Sequence, residues 1–142
     1  MLVQDLMTRD PLTVPLETPV SDARRMMVER RIRHLLVTDG RRLAGIVTDR
    51  DIRLSLPSPA TSLSVWEINY LVARLSVESV MTRSVITVDP RRDAFAAARI
   101  MLEHKIGALP VLDAGTIVGI VTETDILRAF AAMPETETAG AH

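Results

Sequence analysis

Two eight-residue strings in this chain carry the side chains best suited to hold a polar ligand. Gly45-Ile46-Val47-Thr48-Asp49-Arg50-Asp51-Ile52 returns 74 residues later as Gly119-Ile120-Val121-Thr122-Glu123-Thr124-Asp125-Ile126. In each, an apolar run ends at a threonine, and an aspartate follows three residues on. Thr-x-x-Asp ahead of an apolar periodic stretch is a helix capping signal, with the hydroxyl as N-cap and the carboxylate set against the helix dipole. The same arrangement has a second use. A strand that ends at a helix N-terminus brings free N–H groups, a hydroxyl and a carboxylate into one small volume. Hydroxyl and amide donors suit a phosphate, and a carboxylate acceptor suits the two hydroxyls of a ribose. Thr48, Asp51, Thr122 and Asp125 therefore carry both a structural and a ligand-binding reading. Their recurrence at matching places strengthens the second.

Reactive chemistry elsewhere is sparse. The histidines are His34, His104 and His142. His34 follows Arg33 and suits either a phosphate contact or an exposed loop. His104, beside Lys105 at the expected end of a helix, reads as a solvated cap, and His142 lies in the tail. No nucleophile–base pair, H-E-x-x-H helix, Walker loop or G-x-G-x-x-G string is present. The chain has no cysteine, which removes disulfides, zinc-thiolate sites and thiol nucleophiles together. The expectation is a protein without catalysis of its own, with no metal and no resident cofactor.

Composition narrows the partners. Basic and acidic residues number 17 and 18, for a formal net charge of -1. That balance argues against non-specific nucleic-acid binding, which needs a basic surface to displace counterions. It also gives no electrostatic reason to sit on an anionic membrane. Residues 1–10 hold Asp5, Arg9 and Asp10 and do not read as a signal peptide, and no window reaches a membrane-spanning length. A soluble cytoplasmic protein is expected. With 142 residues, 47% hydrophobic and only 3% aromatic, the chain makes one domain or two very small ones around an aliphatic core.

The elements that must position the two strings are themselves duplicated. Residues 3–53 align with 77–127 without a gap, and about 20 of the 51 positions are identical. Met7-Thr8-Arg9 recurs as Met81-Thr82-Arg83, and Ile32, Leu35, Val37 and Asp39 recur as Ile106, Leu109, Val111 and Asp113. Each unit reads β-α-β-β-α, an α/β (α+β) pattern. Leu12–Val14 and Val85–Val88 are β-branched or aliphatic runs. Thr18 is placed as N-cap with Pro19 at the first helical position, and Val20, Ala23, Met26 and Met27 form a stripe that faces a sheet. Two hairpins follow, Leu35–Val47 turning at Asp39-Gly40 and Leu109–Val121 turning at Asp113–Gly115. The domain plan is residues 1–55 and 77–130 as repeats, 56–76 as a linker, and 131–142 as a polar tail expected to be disordered. Pro57 and Pro59 bar a regular helix at the start of the linker. Further on, Ser64 and Glu67 resemble a capping box, and Leu63, Trp66, Tyr70 and Leu71 sit at helical spacing. That helix either covers the sheets with its aromatic face or serves as a subunit contact.

Two such units, each with a Met-Thr start, a Thr-Val strand, an Ile-x-x-Leu strand and Gly-h-h-Thr-x-x-Asp, resemble the cystathionine-beta-synthase (CBS) domain pair, or Bateman module. The resemblance covers residues 3–128. It implies two tandem repeats packed with pseudo-twofold symmetry and two clefts between them, commonly taking AMP, ADP, ATP or S-adenosylmethionine as a regulatory ligand. Carried over, Asp51 and Asp125 hold ribose, and Thr48 and Thr122 lie near phosphates. The early strands, around Thr13-Val14 and Thr87-Val88, line the adenine pocket. The resemblance also implies a homodimer, for which Met26, Met27 and Met101 suit the outer helical face, and an unknown protein target. Copy 1 departs from the pattern at Leu36, where copy 2 keeps Pro110. Arg33, His34 and Arg50 stand where copy 2 has Gly107, Ala108 and Thr124, so the copy-1 cleft is expected to favour the more highly charged nucleotide.

Overall fold

A computed structural model of the chain describes residues 1–57 and 62–135. Of the tail expected over 131–142, Ala131 is still helical and Ala132 caps that helix; residues 136–142, and Pro59 within 58–61, lie outside the described residues. Copy 1 runs α1 (Val3–Leu6), β1 (Thr8–Arg9), β2 (Thr13–Pro15), α2 (Val20–Arg30), β3 (His34–Asp39), β4 (Arg42–Thr48) and α3 (Asp49–Ser55). The linker holds α4 (Val65–Ala73). Copy 2 follows with α5 (Val77–Val80), α6 (Ala94–His104), β5 (Ala108–Asp113), β6 (Thr116–Thr122) and α7 (Glu123–Ala131). The fold is therefore mixed helix and strand in two three-stranded sheets, ordered β2-β3-β4 and β1-β6-β5.

The sheets do not divide as the repeats do. Strand β1 opens copy 1 yet pairs antiparallel with β6 of copy 2, Thr8 opposite Ile120. The equivalent residue of copy 2, Thr82, bridges Ile46 of β4, and the two exchange backbone hydrogen bonds of 2.9 and 3.0 Å. The short opening helices cross over as well. Val77 and Met81 are buried in the core built by α2, β3 and β4, and Val3 is buried in the core built by α6, β5 and β6. Leu36, Ile46, Ala108 and Ile120 fill a third cluster where the sheets face each other. Each copy closes the other's core, which is the pseudo-twofold exchange in physical form.

Several expectations need correction. Helix α2 begins one residue late: Pro19 is its N-cap, with no side-chain bond, because Thr18 is bound elsewhere. The Thr18 N–H donates to Pro15 and its carbonyl accepts from Val77 at 2.8 Å. The expected strand Val85–Val88 shrinks to one parallel bridge, Val88 to Val111. In copy 1 the Leu36 N–H donates to Leu12 at 3.4 Å; Pro110 occupies the equivalent place and has no N–H to give. Helix α4 forms with the expected Ser64–Glu67 capping box, but its aromatic face points outward. Trp66 is 83% exposed, and α4 buries none of its side chains. The sheet faces are already taken by helices and by the opposing sheet. Tyr70 instead receives the Arg74 guanidinium over its ring at 4.2 Å. No helix of the described residues is long and apolar enough to cross a membrane.

The crossing also explains the glycine that opens each string. A Cβ on Gly119 would lie 2.9 Å from the Thr8 carbonyl oxygen and 2.6 Å from Met7 Sδ, and one on Gly45 would lie 2.6 Å from both the Thr82 carbonyl and Met81 Sδ. Only glycine lets the crossing backbone pass so close. Gly45→Ala and Gly119→Ala should each destabilise the fold by about 1–3 kcal/mol through overpacking. Urea unfolding measures this directly. An unchanged midpoint would mean that the crossing strand does not press on these positions.

Candidate functional site

Both strings fold as helix caps. Thr48 Oγ1 accepts from the Asp51 N–H at 3.1 Å, and Asp51 Oδ2 accepts from the Thr48 N–H at 2.9 Å. Thr122 and Asp125 repeat the pair at 3.3 and 2.9 Å. The structural reading of these residues is thus satisfied. It consumes one carboxylate oxygen of each aspartate and leaves the other to its surroundings. There the copies diverge. Asp51 accepts only the Thr48 N–H among the described residues. Asp125, 5% exposed, also accepts from Thr122 Oγ1, Thr8 Oγ1 and Arg128.

Each cap opens into a cleft between the copies. The first, about 540 Å³, brings together Thr48, Arg50 and Asp51, and its apolar wall is Val85, Ile86 and Ile106 from copy 2. The second, about 710 Å³, brings together Thr122, Thr124 and Asp125, with Pro11, Leu12 and Ile32 from copy 1 as the matching wall. Both volumes suit a small organic ligand. Thr13, Val14, Thr87 and Val88 line neither cleft. Val14 and Val88 are buried in the cores, and Thr87 borders a separate hollow of about 290 Å³. Successive strand residues alternate faces, so the chain exposes to each cleft the residues just before these positions. Residue types and spacing carry no direct sign that each string faces the other copy's segment. The Met-Thr crossing decides it.

Arg33 and His34 border both clefts, as do Gly107 and Glu123. The expectation of a cationic excess at the copy-1 cleft therefore fails. The first cleft has Arg33, Arg50, Arg53 and Lys105; the second has Arg30, Arg31, Arg33 and Arg128. Asp49, Asp51 and Glu123 face the first and Asp10, Glu123 and Asp125 the second, so the charge balance is equal. Sequence comparison at Arg33, His34 and Arg50 missed the arginines that the second cleft gains from α2 and α7. At the septum, Gly107 keeps room for two side chains: a Cβ there would lie 3.3 Å from both His34 Nε2 and Glu123 Oε1. His104 ends α6 as expected, and His142 lies outside the described residues. No cluster of three or more metal-ligating side chains occurs among the described residues.

The family model of the CBS domain matches residues 3–58 and again residues 77–132. The chain belongs to the CBS-domain family. A CBS domain-containing protein of Dictyostelium discoideum is 33% identical over 129 residues, covering 89% of each chain. Other relatives are longer, and the chain spans between 22 and 47% of their length. Among solved structures, CBSX2 in complex with AMP is 33% identical with a TM-score of 0.74, covering 92% of this chain and 96% of that one. The CBS domain pair of protein MJ0100, in complex with 5'-methylthioadenosine and S-adenosyl-L-methionine, is 28% identical with a TM-score of 0.76 over the same shares.

Among the described residues of this CBS pair, His34 is the one histidine between the two clefts. Burial pushes its imidazole below the ordinary value of 6.5; Glu123 pulls it upward, Arg33 downward and Asp51 upward. As pH falls, the unfolded chain therefore takes up a proton here before the folded chain does. Stability contributed by neutral His34 is complete above about 6.5 and is lost as pH drops through the lower folded value. His34→Asn cannot take that proton. Its melting temperature should fall less than that of wild type between about pH 7.5 and about pH 5.5. Equal falls in the two proteins would show that His34 titrates alike folded and unfolded.

Proposed function

We propose that this CBS pair is a regulatory ligand-sensing module that binds adenine nucleotides or S-adenosylmethionine in its two clefts and signals to a protein partner in the cytoplasm, without chemistry of its own. The observation that carries this reading is the first cleft. Its lining combines the apolar Val85, Ile86 and Ile106 with the Asp51 carboxylate, the Thr48 hydroxyl and the Arg50 and Arg33 guanidinium groups. A base needs apolar burial, ribose hydroxyls need an acceptor, and phosphates need cations. The complexes of similar CBS pairs with AMP, 5'-methylthioadenosine and S-adenosyl-L-methionine support the same class of ligand here. Thr48, Asp51, Thr122, Asp125, Arg33, His34 and Arg50 are the proposed contacts. Because each cleft is built from both copies, an occupant favours the relative orientation of the copies that it fits, and that difference is what a partner reads.

A homodimer fits the outer surface. Met27 and Met101, expected on a subunit face, are buried inside the chain and Met26 is partly so. The apolar residues left outside include Val28 and Leu54 on α2 and α3, Phe95, Leu102, Leu127 and Phe130 on α6 and α7, and Trp66, Tyr70 and Leu71 on α4. Where exposed apolar side chains adjoin in a patch, they mark an interaction surface. An adaptor that dimerises and binds no nucleotide would use the same helices.

Thermal unfolding with AMP, ADP, ATP and S-adenosylmethionine separates the two. A ligand at about 100 times its dissociation constant adds ~2.7 kcal/mol, and flat melting curves with all four would favour the adaptor. Asp51→Ala should weaken AMP binding by about 1.5–3 kcal/mol, the worth of hydrogen bonds to a charged group, and calorimetric titration reads that loss. Light scattering at micromolar concentration should report a mass above the 15.7 kDa of one chain.

A further inference from the structure

Taken with the nucleotide-binding reading above, the two ribose-facing carboxylates are not equally free. We propose that the two clefts fill in a fixed order, the Asp51 cleft first, because Thr8 holds Asp125 occupied. Thr8 and Thr82 are the same residue in the two copies and stand in the same backbone pairing, opposite Ile120 and Ile46. Their side chains are used differently. Thr8 Oγ1 donates to Asp125 Oδ1 at 3.2 Å and reaches Oδ2 at 3.4 Å. Among the described residues Thr82 makes no such bond to Asp51.

A second difference lies one helical turn on. Arg128 Nη1 stands 3.5 Å from Asp125 Oδ1, whereas the equivalent position of α3 is Leu54, which carries no charge and is exposed. The neighbouring Arg53 pairs with Asp49 instead, at 3.1 Å. Both oxygens of Asp125 are therefore engaged within the protein, and its side chain is almost wholly covered. Asp51 faces its cleft with Oδ1 unshared among the described residues.

Ribose hydroxyls are donors and need an acceptor that is not already filled. In the first cleft they meet one directly. In the second they must displace the Thr8 hydroxyl, and a lost hydrogen bond to a buried carboxylate offsets much of what the ligand gains. The second cleft should therefore bind about tenfold or more weakly, which corresponds to ~1.4 kcal/mol or more. Thr8 is then a specificity-determining residue: its copy-1 strand sets the affinity of the copy-2 string. A ligand that turns β1 or the Thr8 side chain away opens the second cleft, and one that does not stays in the first.

The test is calorimetric titration of the full chain with AMP, in wild type, Thr8→Val, Asp51→Asn and Asp125→Asn. Wild type should give a tight event followed by a weak one, or the tight event alone. Asp51→Asn should remove the tight event and Asp125→Asn the weak one. Thr8→Val keeps the shape of the side chain and removes the donor, so the weak event should tighten about tenfold or emerge where none was seen. Loss of the tight event in Asp125→Asn would overturn the order and leave nucleotide binding intact. So would a Thr8→Val protein, folded by its melting curve, whose weaker event is unchanged or weakened. Should Thr8→Val fail to fold, the two aspartate variants decide the order by themselves. Wild type that neither releases heat nor shifts its melting temperature with millimolar AMP would overturn the nucleotide-binding reading, and the order with it.

Discussion

Two backbone segments cross between the repeats, and the rest of the molecule depends on the space left for them. Residues 7–9 lie against β6 and Thr82 against β4, each passing over a glycine whose missing Cβ makes the approach possible. Behind each crossing segment, a short helix carries its apolar side chains into the other repeat's core. Val3 and Val77 are completely buried there. Burial of one such side chain is worth about 1.5–3 kcal/mol, so a repeat deprived of its neighbour loses both a strand and part of its interior. Units of this size are marginal on their own, and the exchange is how the pair escapes that limit.

The exchange also builds the clefts. Because each Met-Thr segment crosses, the stretch that follows it, 10–12 or 84–86, lies beside the other repeat's Thr-x-x-Asp cap. Every cleft is thus lined by both repeats and cannot be filled without bearing on their relative position. Arg33, His34, Gly107 and Glu123 stand between the two clefts. One neutral imidazole, one guanidinium and one carboxylate there are felt from both sides, and within a Debye length such charges are poorly screened when partly covered. An occupant of either cleft therefore lies beside groups that also border the other.

The outer surface follows from what the crossing leaves over. With the sheets covered by helices on one side and by each other on the other, α4 has no sheet face left to cover, and its aromatic residues stay in solvent beside α2. Exposed Val28 and Leu102 occupy equivalent positions on α2 and α6, but Leu54 corresponds to Arg128 and Leu127 to Arg53, so the outer face follows the pseudo-twofold only in part.

Much of this was legible in the residues alone. The gapless repeat fixes two equivalent units, because identical apolar spacing must bury identical faces; the hairpins at Asp39-Gly40 and Asp113–Gly115 and the capping boxes at Thr48, Ser64 and Thr122 are local chemistry that needs no tertiary knowledge. Asp51 and Asp125 were candidates for the same reason. What the repeat could not reveal is which copy each segment packs against, since intra-copy and inter-copy pairing bury the same side chains and satisfy the same hydrogen bonds. That choice is a property of the assembled pair. It moved the cleft walls from Thr13-Val14 and Thr87-Val88 to the residues just before them, gave the second cleft arginines that its own string lacks, and placed Thr8 on Asp125 while leaving Asp51 open. Sequence determines what each residue can do, through side-chain chemistry and local backbone preference; only the packing of one repeat through the other determines which residues meet.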